Sequence, residues 1–146
     1  MFSLTAYETI SLALKLGIVS TEKRTDTKAI NHGFSAHFKH LLSTYSYRIS
    51  KLCADARIDE RVFRYIRAGQ HLTKKPILAL LIVMGLDVSQ IQKALSKAGF
   101  VLSPAVDQEV VVLWMLRHES AKFEGYKRLE AINETLEALV LPRLTE

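Results

Sequence analysis

The chain has 146 residues, with 20 Lys and Arg against 15 Asp and Glu, a formal charge of +5 and a pI near 9.4. At 49% hydrophobic and 24% charged residues it carries the apolar material for one compact core, which excludes a disordered polyelectrolyte, and the single cysteine, Cys53, excludes an intrachain disulfide. The longest uninterrupted apolar stretch, Ile77 to Leu86, is about half of the roughly 20 residues a membrane-spanning helix needs, so no membrane partner is expected and a cytoplasmic setting is.

In chain order, the first element is a helix over about Leu4–Leu16. Glu8 and Lys15 interrupt its apolar run, and it lacks the basic start and small-residue cleavage site of a secretory signal. A polar stretch from Ser20 to His32 reads as a solvated linker. Its Ser20–Lys23 segment fits the S-x-x-K pattern but has no companion motif, so it carries no catalytic reading.

Beyond it, apolar residues recur at three- and four-residue steps with no sustained strand-like alternation, which makes the fold all-α. Short helices are expected over Ser35–Thr44, Ile49–Ala56, Glu60–Ala68, Lys74–Met84 and Val88–Ala98. Asp59, Thr73 and Asp87 stand where a side chain caps a helix start, and Gly69, Gly85 and Gly99 where a left-handed residue ends one. A further helix is expected to open at Ser103 with Pro104 in its first position. The last is expected over Ser120–Leu139, stopping before Pro142.

These elements group into an N-terminal helix and linker (1–33), a helical domain (34–100) and a C-terminal helical extension (101–146). Charge divides with them. Residues 34–100 carry 11 basic and 4 acidic side chains, a net of +7, whereas residues 101–146 carry 5 and 8, a net of −3. Between Arg48 and Lys75 there are 8 basic and 3 acidic residues, a field that attracts polyanions.

Within that basic region, ISKLCADARIDERVFRYIRA (Ile49–Ala68) has the arithmetic of two short helices joined by a tight turn. Leu52, Ala56, Ile58, Phe63 and Ile66 fall where such a unit buries apolar side chains, and Cys53 is small where the helices approach. Cys53 accordingly reads as a buried small hydrophobe rather than a redox sensor. The second helix turns Glu60, Arg61, Arg64 and Tyr65 to solvent, as a helix entering a major groove would.

The segment resembles the helix-turn-helix of the Cro and phage-repressor type, the bacterial xenobiotic-response-element family. The likeness extends over about Phe34–Phe100, through the IRAG turn and the apolar helix ending in MGL, and continues through KAGFVLSP and VVVLWML. The resemblance implies a lambda-repressor-like five-helix domain with an N-terminal helical arm and a C-terminal extension, and sequence-specific binding of double-stranded DNA. It implies base readout by Glu60, Arg61, Arg64 and Tyr65, with guanine the natural partner of a guanidinium fork. It places Arg48, Lys51, Arg67, Gln70, His71, Lys74 and Lys75 on backbone phosphates.

Three positions depart from the family pattern. Arg57 stands where glycine is usual, so it must take a positive φ at a cost of about 1 kcal/mol or the turn must shift. Ile49 replaces a common glutamine, and Glu60 would repel phosphate while still able to accept from a cytosine amino group. They leave a second reading open, a protein-interaction module of antitoxin or anti-repressor type that keeps the fold with weak or no DNA binding.

No enzyme, cofactor or metal is expected. His37 and His40 share a helix face, with Cys53 a conceivable neighbour, but one His pair without a second ligand cluster is a poor zinc signature. Glu130, Glu134 and Glu137 read as a solvated helix face. Proteins of this architecture pair to read two half-sites roughly 34 Å apart, so a homodimer is expected. Two surfaces are candidates for it, the apolar N-terminal arm and the Leu129, Ile132, Leu136, Leu139 seam of the last helix. So short a seam more often packs on its own domain; for pairing, the N-terminal arm together with the last helix is the favoured surface.

Overall fold

The apolar run from Ile77 to Leu86 lies at the centre of the molecule. The structure is a computed structural model of the chain and describes residues 31–45, 48–118 and 122–145. Among these residues the helices are α1 (Asn31–Tyr45), α2 (Ile49–Ala56), α3 (Glu60–Arg67), α4 (Lys74–Val83), α5 (Val88–Lys97), α6 (Asp107–His118) and α7 (Tyr126–Ala138). No described residue lies in a strand, and no helix among them is long and apolar enough to cross a membrane. The expected arm helix Leu4–Leu16, the linker up to Ile30 and the Ser20–Lys23 segment lie outside the described residues.

Every residue of α4 from Ile77 to Val83 is buried. A helix that is apolar all round has to be surrounded, and α2, α5 and α7 each pack against this one. α1 lies against α3 and α5, and α6 packs between α5 and α7. One core runs from Phe34 to Leu144, so elements on both sides of residue 100 share it. At its α1–α3 corner Phe34 stacks on Phe38 at 5.4 Å, and Phe38 meets Phe63 at 5.8 Å.

Helix ends account for most of the turns. After α3, α4 and α5 the chain turns at Gly69, Gly85 and Gly99, each with a φ between 76° and 86°. At each, the glycine amide and the next amide donate back to carbonyls three and five residues earlier, which satisfies carbonyls the helix leaves open. The same motif ends α2 at Arg57 (φ 55°) and α7 at Val140 (φ 58°), where L side chains occupy a conformation that favours glycine. Asp59 caps α3, and Asp87 caps α5 in a reciprocal box with Gln90. Thr73 occupies the cap position of α4 without making a side-chain cap bond.

Three expected helix starts differ from those observed. α1 begins at Asn31 rather than Ser35, because the polar residues before Phe34 continue the helix instead of ending the linker. α6 begins at Asp107 rather than Ser103. Ser103 and Pro104 form a β-turn closed by a 3.2 Å bond from the Val106 amide to the Ser103 carbonyl, and the Ser103 hydroxyl accepts from the Ala105 amide at 3.1 Å. Proline's fixed φ suits that turn position as well as a first helical turn. α7 begins at Tyr126 because Gly125, with a φ of 56°, breaks the helix that the apolar spacing alone would extend.

The C-terminal hairpin holds α4 at both ends. At its start the Lys74 ammonium donates to both carboxylate oxygens of Glu109 in α6, at 2.7 and 2.8 Å. Glu109 also accepts from the Ser103 amide at 2.6 Å. At its far end Arg128 of α7, 4% exposed, donates to the carbonyls of Ile82 at 2.8 Å and Leu86 at 2.6 Å. A guanidinium there meets carbonyls that carry the negative end of the α4 dipole. α7 spends its leucine seam on the same packing. Leu129, Ile132 and Leu136 are 2%, 1% and 0% exposed within this one chain, so they present no apolar strip to a second copy.

Candidate nucleic-acid interface

The α2–α3 unit is held from below by apolar side chains. Leu52, Cys53, Ala56, Phe63 and Ile66 are buried and Ile58 half-buried, as the spacing predicts. Burial, reinforced by the Glu60 and Asp59 carboxylates, pushes the Cys53 thiol above its ordinary pKa, so it is a poor nucleophile. Arg57 takes the left-handed conformation, and the turn is not displaced.

Fixing Phe63 and Ile66 inward fixes what α3 turns outward. Arg61, Arg64 and Tyr65, at one-turn spacings, fall in a stripe opposite the buried pair, and all three are exposed. Neither arginine enters an ion pair among the described residues. Asp59 directs its carboxylate to the Arg61 amide at 2.7 Å and so is occupied in capping. Glu60 and Val62 flank the stripe, both exposed.

The loop after α3 extends this surface. Tyr65 meets the ring of His71 edge-on at 5.2 Å, and the Gln70 amide donates to the Tyr65 carbonyl at 2.8 Å. These contacts bring Gln70 and His71 beside the stripe, with His71 at a positive φ of 49°. Lys75 is exposed at the start of α4. Arg48 is exposed at the N-terminus of α2, next to amides that have no partner within the helix.

The other three expected phosphate contacts have competing attachments. Lys51 is exposed but bonds Asp55 at 3.1 Å, one turn on, a surface pair worth little and easily exchanged. Arg67 is half-buried, its guanidinium 5.8 Å over the Phe63 ring. Its carbonyl accepts from the Ser35 hydroxyl at 2.7 Å and ties α3 to α1. Lys74 is engaged by Glu109, so its ammonium works within the fold. Sequence spacing gives no sign of that pairing, because the two residues lie 35 positions apart.

Among the described residues there is no group of three or more His, Cys, Asp and Glu side chains arranged to hold a metal ion. No family model, curated protein or solved structure matches the chain.

Proposed function

We propose that this chain is a sequence-specific double-stranded DNA-binding regulator with a lambda-repressor-like helix-turn-helix, a repressor acting as a homodimer on a short operator. The observation that carries the reading is the α3 stripe, in which Arg61, Arg64 and Tyr65 face solvent opposite Phe63 and Ile66 and both arginines are left out of ion pairs among the described residues. Arginine forks suit guanine O6 and N7 in a major groove. Arg48 before α2 and Lys75 at the start of α4, both exposed, suit backbone phosphates. Pairing two copies supplies the second half-site that one eight-residue helix needs for specificity. The seam of α7 is excluded from that contact because it is already buried. The proposal assigns no catalytic activity and no cofactor.

Selection of bound duplexes from a random pool tests this directly. A short operator with two half-sites is the expected product, and recovery of no common sequence at about 150 mM salt would overturn the reading. Arg64→Ala should lose discrimination at one or two base pairs, by about 1–3 kcal/mol, whereas Lys75→Ala should weaken all sequences alike.

A second reading, a protein-interaction module on the same fold, draws on exposed apolar side chains of α2 and α3. Ile49, Val62 and Tyr65 are exposed on these helices, as is Glu60. A mixed apolar and charged surface suits a protein partner. Co-purification of a stoichiometric protein, with no salt-dependent affinity for DNA, would favour it.

A further inference from the structure

A second group of cations lies on the far side of α1 from the α3 stripe. α1 and α5 run antiparallel. At one end the Gln90 side chain donates to the Tyr45 hydroxyl at 3.2 Å, and at the other His37 lies within the field of Lys97, Lys93 and His40. The seam between the two packed helices is therefore lined by His40 and Lys93, both exposed, and by His37 and Lys97, both half-buried. No Asp or Glu occurs anywhere in α1 or α5, and no ion pair among the described residues engages either lysine. Asp87, the nearest acid in sequence, is committed to capping α5.

The direction of this seam follows from helix geometry. Ser35 faces α3, since it bonds the Arg67 carbonyl. His37 is two residues on, about 200° around the helix. The α3 stripe and the α1–α5 seam thus occupy opposite flanks of α1, and α3 contributes only Arg67 near the Ser35 side.

The residue types differ as well. The α3 stripe offers arginine forks, which suit base edges, whereas the seam offers two ammonium groups, point charges suited to phosphate oxygens, beside imidazole N–H donors. Burial first, then the lysines and His40, hold the pKa of His37 below the ordinary histidine value of 6.5. An anion seated among these groups would reverse that direction.

We propose that the α1–α5 seam is a second, sequence-independent phosphate-binding surface that takes the backbone of a duplex segment other than the one on α3. Holding two segments at once would let one protein bridge or loop DNA. The inference takes its ligand class from the DNA-binding reading, but its residues are separate from those of the α3 stripe.

The test follows the imidazole signals of His37 and His40 and the ring signals of Tyr65 by NMR in the full chain. Tripolyphosphate and a mixed-sequence DNA duplex serve as probes. Both probes should move the two histidine signals and raise the titration midpoint of His37. Lys93→Gln combined with Lys97→Gln should abolish those shifts while leaving the Tyr65 response to duplex intact. Stationary histidine signals beside a moving Tyr65 would overturn the second surface and leave the first standing. Moving histidines beside a stationary Tyr65 would overturn the α3 reading and leave the second surface standing. Movement with tripolyphosphate alone would overturn the duplex assignment, and histidine shifts undiminished in the double variant would overturn the residue assignment.

Discussion

Arg61 and Arg64 in α3 are exposed and enter no ion pair among the described residues, whereas Arg128 in α7 is 4% exposed and holds two carbonyls of the α4 end. Glu109 in α6 behaves like Arg128, reaching back to Lys74 and the Ser103 amide. Arg128 and Glu109 are thus built into the fold, whereas Arg61 and Arg64 reach no charged partner among the described residues. Charged side chains of one type differ in this way according to what lies within reach of their tips.

Stability measurements can break or sharpen this contrast. The largest effect is expected for Arg128→Leu, which leaves the Ile82 and Leu86 carbonyls without their buried donor and should lower the unfolding free energy by about 2–5 kcal/mol in urea titrations. A loss below about 1 kcal/mol would mean that water replaces the guanidinium. Glu109→Ala removes the acceptor of the Ser103 amide as well as the partner of Lys74, and about 1–3 kcal/mol should be lost.

Smaller changes of opposite sign are expected at the two strained helix ends. Val140 is 92% exposed at a positive φ, so Val140→Gly relieves backbone strain without removing a buried contact. It should raise stability by a few tenths to about 1 kcal/mol, and Arg57→Gly should do the same. A clear loss at Arg57 would show that its side chain contributes more than its backbone conformation costs.

The depressed pKa of His37 predicts a pH dependence. The unfolded chain takes up the proton at a higher pH than the folded one, so stability should fall as pH drops from about 7.5 to 5. His37→Gln should flatten part of that slope in phosphate-free buffer. The smallest effect belongs to the exposed arginines. Arg61→Ala and Arg64→Ala should leave stability within about 0.5 kcal/mol, and a larger loss would move them to the structural side of the contrast.

Local signals made much of this legible in the sequence. Gly69, Gly85, Gly99, Asp59 and Asp87 mark helix ends because each solves a backbone problem within a few residues. The buried and exposed faces of α2 and α3 followed from spacing alone. The errors came where one residue type serves two purposes. Pro104 fits a β-turn or a first helical turn equally well, and Gly125 interrupts a spacing that otherwise reads as helix. The pairing of Lys74 with Glu109, the clamp at Arg128 and the approach of His37 to Lys97 join residues 35 to 60 positions apart. No periodicity reports such distances, so the phosphate role expected of Lys74 had no local contradiction.

The two-ended hold on α4 bears on whether the α1–α5 unit is portable. A fragment ending near residue 100 would keep the α3 stripe but lose Glu109 from one end of the central helix and Arg128 from the other. It would also expose the core surface that α6 and α7 cover. Such a fragment should not survive limited proteolysis or graft onto another protein as a ready-made reader. Loosening the hairpin should reach the α3 surface through α4 without touching a single residue on it.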